Sequence, residues 1–499
     1  MNIKQAKQEI KNTIQAYLMK DDQGEYVIPS VRQRPVLLIG APGIGKTQVM
    51  EQVARECGIG LVAYTITHHT RQSAVGLPFI SKKHYGEKEY SVTEYTMSEI
   101  VASVYDKIEE TGLSEGILFI DEINCVSETL APTMLQFLQC KTFGNHRIPE
   151  GWLIAAAGNP PEYNKSVREF DIVTLDRLKV IPVEPDFGAW REYACREAIH
   201  PAIIAYLDLK QQNFCRIETT VDGKLFATPR GWEDLSRLME VYETLGIPID
   251  RNVIGQYIQY PAISKDFANY LELYEKYRKD YQVDAILAGE IREELCDKVR
   301  KAPFDEKMSV ISLLLTRLEN EFRNVAEQEE KTELLMKWLK TYQEREGNGN
   351  RRLEAVLAEL TEEWEQRKKA GLLDHRSDRR MRQVIVLLEG YRKSAASLER
   401  DEPEEIWEYL KEQFARQREI YDSVWEKAGT MLEYGFDFME AAFAAGQEMV
   451  LFVTNLNASS YSVHFLQEYE CKRYYEYNRN LLFEDRETER KKRISAMIG

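Results

Sequence analysis

The 499-residue sequence lacks the usual marks of a secreted or membrane-embedded protein. Its seven cysteines are odd in number and include no C-x-x-C pair, so we expect neither a zinc site nor a disulfide framework. Residues 1–7 are too polar for a secretory signal peptide. The most apolar run, residues 441–453, contains Gln447 and Glu448 and is too short to span a bilayer. These absences predict a cytoplasmic protein without a membrane segment.

Positive charge is also scarce. Lys and Arg number 66 against 82 Asp and Glu, which gives a net charge of −16. This balance disfavours a protein whose main surface follows nucleic-acid phosphates, although a local basic patch would be compatible with it. The sequence has no N-K-x-D motif for guanine, which favours ATP over GTP as a nucleotide. Its length exceeds one compact core and predicts two or three domains.

The clearest pattern present is a glycine-rich loop between an apolar strand and a helix. Residues 36–39 predict a buried strand, residues 40–47 fit G-x-x-x-x-G-K-[ST], and a helix follows. Glycines let successive backbone N–H groups surround a phosphate, and the helix N-terminus adds partial positive charge. Lys46 would approach the outer phosphates of ATP, and the Thr47 hydroxyl could bind Mg²⁺. The residues expected to contact nucleotide in this loop are Gly40, Ala41, Pro42, Gly43, Ile44, Gly45, Lys46, Thr47 and Gln48.

A second pattern, I-L-F-I-D-E-I-N at residues 117–124, predicts a central strand with two acids at its carboxyl end. Open α/β sheets bind ligands at this end of their strands. Asp121 is predicted to hold Mg²⁺ together with Thr47, and Glu122 to polarise the water that attacks the terminal phosphate. A strand that ends in acids by chance is the alternative, and the distance of about 75 residues from the glycine loop disfavours it.

Three further polar residues are weaker signals. Asn159 follows the predicted strand 152–157 and could hold the attacking water, but asparagine is also a common turn residue. Arg177 follows a short helix, and Arg230 opens another after Thr228 and Pro229. The pair His68-His69 suggests a metal site, but adjacent side chains point in opposite directions and no other ligand lies at a suitable spacing, so a packing role is favoured.

The order of these residues resembles that of AAA+ ATPases. Lys46 and Thr47, Asp121 and Glu122, Asn159, Arg177 and Arg230 fall where Walker A, Walker B, sensor 1, the arginine finger and sensor 2 fall in that superfamily. Two hairpin-like inserts and the Gly-Asn-Pro, Leu-Asp-Arg and Thr-Pro-Arg sequences are similar to the MoxR family. The resemblance covers about residues 1–270. Arg168 is a rival for the finger.

The resemblance implies a homo-oligomeric ring, usually a hexamer, that binds ATP between subunits. It also implies a chaperone-like role in remodelling or maturing a partner protein, often one with a von Willebrand factor A domain. From the residues alone, a P-loop protein needs a cation for the charge that develops on the transferred phosphoryl group, and a neighbour's arginine can supply it. A motor linked to nucleic-acid processing and a non-hydrolysing nucleotide switch stay open as alternatives.

The predicted fold is an α/β P-loop core, a parallel sheet flanked by helices, with a helical lid and an all-α C-terminal domain. The expected domains are residues 1–185 for the core, 186–280 for the lid and 281–499 for the C-terminal helices, where a partner or substrate would bind. Charged helices are predicted there at about 351–371, 377–399, 403–430 and 436–456. We find no catalytic pattern in this half.

Overall fold

The computed structural model describes residues 1–68, 74–143, 145–163, 167, 170–221, 223–397, 402–444 and 446–479, with His68 described in its backbone alone. The chain divides into two compact units. The first contains residues 1–189, 228–230 and 361–378, and the second contains residues 190–227, 231–360 and 379–499. None of the helices in the described part of the chain is long and apolar enough to cross a membrane.

Eleven strands occur among the described residues. In chain order they are β1 (Val36–Gly40), β2 (Gly60–Thr65), β3 (Pro78–Tyr85), β4 (Lys88–Tyr95), β5 (Gly116–Asp121), β6 (Thr142–Phe143), β7 (His146–Arg147), β8 (Trp152–Gly158), β9 (Lys179–Val183), β10 (Arg216–Thr220) and β11 (Gly223–Ala227). Five of them form one parallel sheet in the order β2-β5-β8-β1-β9, which confirms the predicted α/β core. The pairs β3–β4 and β6–β7 are the two predicted hairpin inserts.

The parallel sheet is covered by helices on both faces, which explains why its strands are apolar throughout. Leu38 packs into one core cluster with α1 and α2, whose bounds are Ile3–Tyr17 and Lys46–Cys57. The next residue back, Leu37, packs into a second cluster with α3 and α4, at Glu99–Thr111 and Ala131–Cys140. Successive residues of a strand point to opposite faces, so a strand between two helical layers has no polar side.

The remaining helices follow the sheet in sequence. They are α5 (Ile172–Leu175), α6 (Phe187–Arg196), α7 (Pro201–Leu209), α8 (Pro229–Leu245), α9 (Arg251–Tyr257), α10 (Pro261–Tyr281), α11 (Val283–Leu287), α12 (Glu293–Lys301), α13 (Phe304–Glu344), α14 (Gly349–Ala370), α15 (His375–Ser397), α16 (Pro403–Phe443), α17 (Gln447–Ala458) and α18 (Ser460–Glu468). The large all-helical C-terminal part is confirmed. The predicted boundary at residue 280 falls at the end of α10, inside the second unit, and the division between lid and C-terminal domain stays a prediction.

The long helix α16 corrects one sequence prediction. Residues 403–430 and 436–456 were expected to form two helices, but the first helix continues without a break to Phe443. The two glycines inside it are packing positions rather than helix ends. A Cβ atom at Gly429 would lie 2.4 Å from the Tyr469 ring, and one at Gly435 would contact Leu318. The helix ends instead at Phe443, and the next residue, Ala444, has a positive φ of 52°.

Candidate nucleotide site

The glycine loop lies at the carboxyl end of β1, in the interior of the sheet, and leads directly into α2. Gly43 and Gly45 have left-handed backbones (φ 76° and 89°), a conformation that glycine adopts without a Cβ penalty. Gly40 is required for a different reason, because a Cβ there would stand 2.4 Å from the carbonyl oxygen of Val183 on β9. The loop therefore needs its glycines both for backbone conformation and for close strand packing.

Lys46 is buried beneath this loop. Its ammonium donates hydrogen bonds to the carbonyl oxygens of Gly40 and Ala41 and to the Asn159 side-chain oxygen, each at 2.9 Å. The pKa of Lys46 is lowered from 10.5 to about 8, chiefly by burial and also by the nearby Arg230 charge, against the opposing effect of the carboxylates of Asp121 and Glu122. The lysine thus lies beside the loop and is held by acceptors from two different strands.

The acidic pair lies directly opposite the start of α2. The Thr47 hydroxyl donates to Asp121 Oδ2 at 2.8 Å, so the two side chains proposed for Mg²⁺ are already adjacent. The backbone N–H of Glu122 donates to the other oxygen of Asp121 at 2.8 Å. Glu122 has a left-handed backbone (φ 56°), and its carboxylate accepts a hydrogen bond from the Thr67 hydroxyl at 3.1 Å.

Asn159 directly follows β8 and lies between the glycine loop and the acidic pair. Its side chain accepts from Lys46, while its main chain is bound by the buried Asn124. The parallel sheet brings these residues together, because β5 and β1 both pair with β8 and all three strands end at the same edge. Lys46, Thr47, Asp121, Glu122 and Asn159 therefore lie together in one cluster.

Arg230 returns to the site from far along the chain. Its backbone N–H donates to the carbonyl of Gly43 at 3.2 Å, and a Cβ at Gly43 would lie 3.2 Å from Arg230 Cβ and 3.3 Å from Thr228 Oγ1. Residues 228–230 consequently belong to the first unit although their neighbours on both sides belong to the second. The Thr-Pro-Arg sequence packs directly on the glycine loop.

Arg177 is the predicted site residue that the fold keeps away from this cluster. It is exposed, it precedes β9, and its guanidinium donates to the Gln139 side chain. Because β9 runs parallel to β1, with Lys179 paired to Val36 and Val183 paired to Gly40, Arg177 lies at the amino edge of the sheet. Four residue steps along β1, about 13 Å, separate that edge from the glycine loop. The rival Arg168 lies outside the described residues, as does His69.

Sequence reasoning missed two residues of the site, Thr67 and Asn124. Thr67 follows the end of β2, whose last residue pairs with Asp121, so strand order was needed to find it. Asn124 stood within the second motif, and its polar side chain in an otherwise apolar strand-and-turn segment was the available signal. Among the described residues no group of three or more His, Cys, Asp or Glu side chains is arranged to hold a metal ion.

Comparison with known proteins agrees with this geometry. Residues 36–175 match the family described as ATPase family associated with various cellular activities (AAA). This segment of the chain is therefore an AAA family ATPase domain, with P-loop nucleotide-binding architecture. The matched segment contains the clustered residues and ends just before Arg177.

Individual similar proteins match more weakly. The ATPase family gene 2 protein homolog B of Mus musculus is 29% identical over 143 residues, which is 27% of this chain. The chain spans 16% of the length of that curated relative. Three variants of RuvB from Thermotoga maritima are 16%, 15% and 17% identical, and each covers 52% of this chain and 69% of the RuvB chain. Their TM-scores are 0.28, 0.27 and 0.27.

Proposed function

We propose that this protein is an ATP-hydrolysing AAA+ motor of the MoxR type that assembles as a ring and remodels or matures a partner protein. The observation that carries this proposal is the division of polar residues between two edges of the sheet. Lys46, Asp121, Glu122 and Asn159 converge at one edge, whereas Arg177 is exposed at the other. One chain thus presents most of a hydrolytic site and, elsewhere, the cation that such a site needs.

The residues at the carboxyl edge fit Mg²⁺ and ATP. Thr47 and Asp121 supply adjacent hard oxygen ligands, and the left-handed glycines supply the backbone conformation from which N–H groups can surround a phosphate. Bound Mg²⁺ would supply positive charge that stabilises the charge developing on the phosphoryl oxygens. Lys46 would exchange its internal carbonyl acceptors for phosphate oxygens, and Arg230 would approach the same anion from beside the loop.

Glu122 and Asn159 would act on water. A carboxylate accepts a proton from an attacking water, and an amide can orient that water without competing for the proton. Thr67 holds Glu122 at 3.1 Å, so the carboxylate must release this hydroxyl before both of its oxygens are free. These roles assign the reaction as hydrolysis of the terminal phosphate of ATP.

The position of Arg177 supports the proposed ring. Since this side chain lies at the opposite edge from its own glycine loop, it can serve a phosphate only in a neighbouring subunit. A closed ring of identical interfaces gives every site such an arginine. A hexamer and a partner with a von Willebrand factor A domain follow from the resemblance to MoxR proteins. We also propose a cytoplasmic location, from the scattered cysteines without a C-x-x-C pair, and residues 281–499 as the partner-binding region.

Mixing two inactive variants tests this proposal. Arg177→Ala should bind ATP and lose most hydrolysis, and Lys46→Ala should fail to bind ATP. When dissociated chains of both are mixed in equal amounts, about one interface in four pairs an intact loop with an intact arginine, so about a quarter of wild-type turnover should return. Arg34→Ala is the matched control, because Arg34 is exposed near the same edge, just before β1.

The outcomes separate the assignments. If Lys46→Ala chains recover turnover when mixed with inactive Arg168→Ala chains, and not with Arg177→Ala chains, then Arg168 is the arginine finger. Absence of rescue in both mixtures, together with full activity of a wild-type monomer in light scattering, would refute the ring. Absence of phosphate release by the assembled wild type would refute hydrolysis and favour a nucleotide switch. ATP-dependent retardation of DNA or RNA in a gel would favour a nucleic-acid motor.

A further inference from the structure

We infer that Asn124 is a positioning residue that holds Asn159 in place for ATP hydrolysis, an inference that rests on the proposed function. Asn124 Nδ2 donates to the main-chain oxygen of Asn159 at 2.8 Å, and the Asn159 N–H donates back to Asn124 Oδ1 at 3.3 Å. A side-chain amide thus makes the two-way contact that a backbone peptide makes in a sheet.

The contact takes over where the β5–β8 ladder stops. The last paired residues of these two strands are Ile120 and Ala156. Asp121 is still paired with Thr65 of β2, and the chain turns away from the sheet at Glu122. Without a further partner, the main chain of Asn159 would extend beyond its ladder. Asn124 replaces the missing neighbouring strand, and its side chain is only 5% exposed.

The neighbouring residue is shaped for this arrangement. A Cβ atom at Gly158 would lie 2.6 Å from Asn124 Oδ1 and 2.8 Å from its Cγ, far inside van der Waals contact. Glycine at position 158 therefore leaves the space that the Asn124 amide occupies. Here the glycine is required by close approach of a side chain, and its own backbone conformation is ordinary.

Asn124 also connects the two halves of the site. It lies in the short 3-10 turn Ile123–Cys125, which is closed by a hydrogen bond from the Cys125 N–H to the Glu122 carbonyl at 2.8 Å. On the other side, Asn159 accepts from Lys46 at 2.9 Å. A change in the position of Glu122 is consequently transmitted through Asn124 to the residue that contacts Lys46. The contact between Asn124 and Asn159 itself joins two uncharged amides.

A purely structural role would give Asn124 no special effect on turnover. The chain offers a matched control for this alternative in Gln33, which is 6% exposed in the same unit. The Gln33 amide also bonds the main chain, although it donates to two carbonyl oxygens, those of Tyr17 and Ile28, both at 3.0 Å. Its substitution should cost stability comparably while leaving Asn159 untouched.

The test is a double-mutant cycle in the full-length chain, read as kcat and KM for Mg–ATP. Asn159→Ala should lower kcat at least about tenfold, and Asn124→Ala should lower it by a similar factor with KM changed less than about threefold, since misplaced catalytic groups reduce turnover rather than binding. When Asn159 is already alanine, adding Asn124→Ala should lower kcat by less than about a further twofold. Gln33→Ala should keep kcat within about twofold of wild type.

Asn124→Asp provides a second variant that preserves size. It removes the Nδ2 donor and brings negative charge toward a carbonyl oxygen, so it should lose turnover as Asn124→Ala does. If the losses of kcat in Asn124→Ala and Asn159→Ala multiply in the double mutant, the positioning role of Asn124 is wrong. The same holds if Gln33→Ala loses as much kcat as Asn124→Ala does. Either result leaves the proposed role of Asn159 standing. Unchanged turnover in Asn159→Ala would instead overturn the proposed role of Asn159, and the positioning role with it.

Discussion

The buried Lys141 predicts a specific dependence of stability on pH. Lys141 follows α4 with a left-handed backbone (φ 56°), is 4% exposed, and donates to Gln33 Oε1 at 3.1 Å and Ser30 Oγ at 3.3 Å. Neither acceptor is charged. Burial, and then the charge of Arg147, lowers the pKa of Lys141 from 10.5 to about 8.

The direction of the effect follows from proton counting. Between pH 8 and 10.5 the unfolded chain holds a proton at Lys141 that the folded chain has released, so the free energy of unfolding rises with pH in that window. Below pH 8 both states are charged and the full burial penalty applies. For these two pKa values, the Lys141 contribution to stability improves by about 2.5 kcal/mol between pH 7 and pH 10.

Lys141→Met should remove this contribution. Methionine keeps the length of the side chain without its charge, so the variant should be stabilised at pH 7 by up to about 3 kcal/mol, less about 1 kcal/mol for each lost hydrogen bond. At pH 10 the gain should disappear. The full-length chain labelled with 5-fluorotryptophan allows the measurement, because the Trp152 resonance reports urea unfolding of the unit that contains Lys141.

Lys88→Met is the control, since Lys88 is an exposed lysine on the β4 hairpin. Lys46 has the same lowered pKa in the same unit, so the quantity to compare is the difference between wild type and Lys141→Met at each pH. An identical stability difference at pH 7 and pH 10 would refute the claim that Lys141 is charged at a cost in the folded protein.

Four further substitutions test the site. Lys46→Ala should abolish tight ATP binding in calorimetry, and unchanged affinity would remove Lys46 from the phosphate site. Glu122→Gln should bind ATP but hydrolyse it at least about 100-fold more slowly, and near-normal phosphate release would place the base elsewhere. Thr67→Val should raise turnover about fivefold, the equivalent of about 1 kcal/mol, by freeing Glu122, and a decrease would contradict a restraining role. Gly40→Ala should weaken ATP binding because its Cβ would meet Val183, whereas Gly24→Ala, with nothing within 4 Å, should leave binding unchanged.

Much of the first unit could be predicted because its signals are local. The apolar strand at residues 36–39, the glycine loop and the helix from Lys46 to Cys57 are contiguous in sequence and in structure. Thr47 and Asp121 needed one more step, the rule that parallel strands bring their carboxyl ends to the same edge. That rule was enough to place the two side chains near each other, because Asp121 ends β5 and Thr47 follows the loop after β1.

The remaining features depend on contacts between distant residues. Asn124 and Asn159 are 35 residues apart, and their pairing depends on the register of β5 against β8, which no local pattern encodes. Arg177 could be proposed from its order in the chain. Its position at the amino edge of the sheet, however, is known only from the parallel pairing of β9 with β1. The predicted helix end at residue 430 was wrong, because the Tyr469 ring that packs on Gly429 comes 40 residues later in the chain.

The scattered membership of the first unit has a consequence for how the chain folds as it is made. Arg230, which packs on the glycine loop, and residues 361–378 both belong to this unit, although the sheet itself is complete at residue 183. At about 5–20 residues per second, a ribosome needs on the order of 10–40 s to extend the chain from residue 189 to residue 378. During that interval the first unit lacks these two segments, so the surfaces that they contact, the loop at Gly43 and the helix α3 at Lys107, are open to a chaperone at the ribosome.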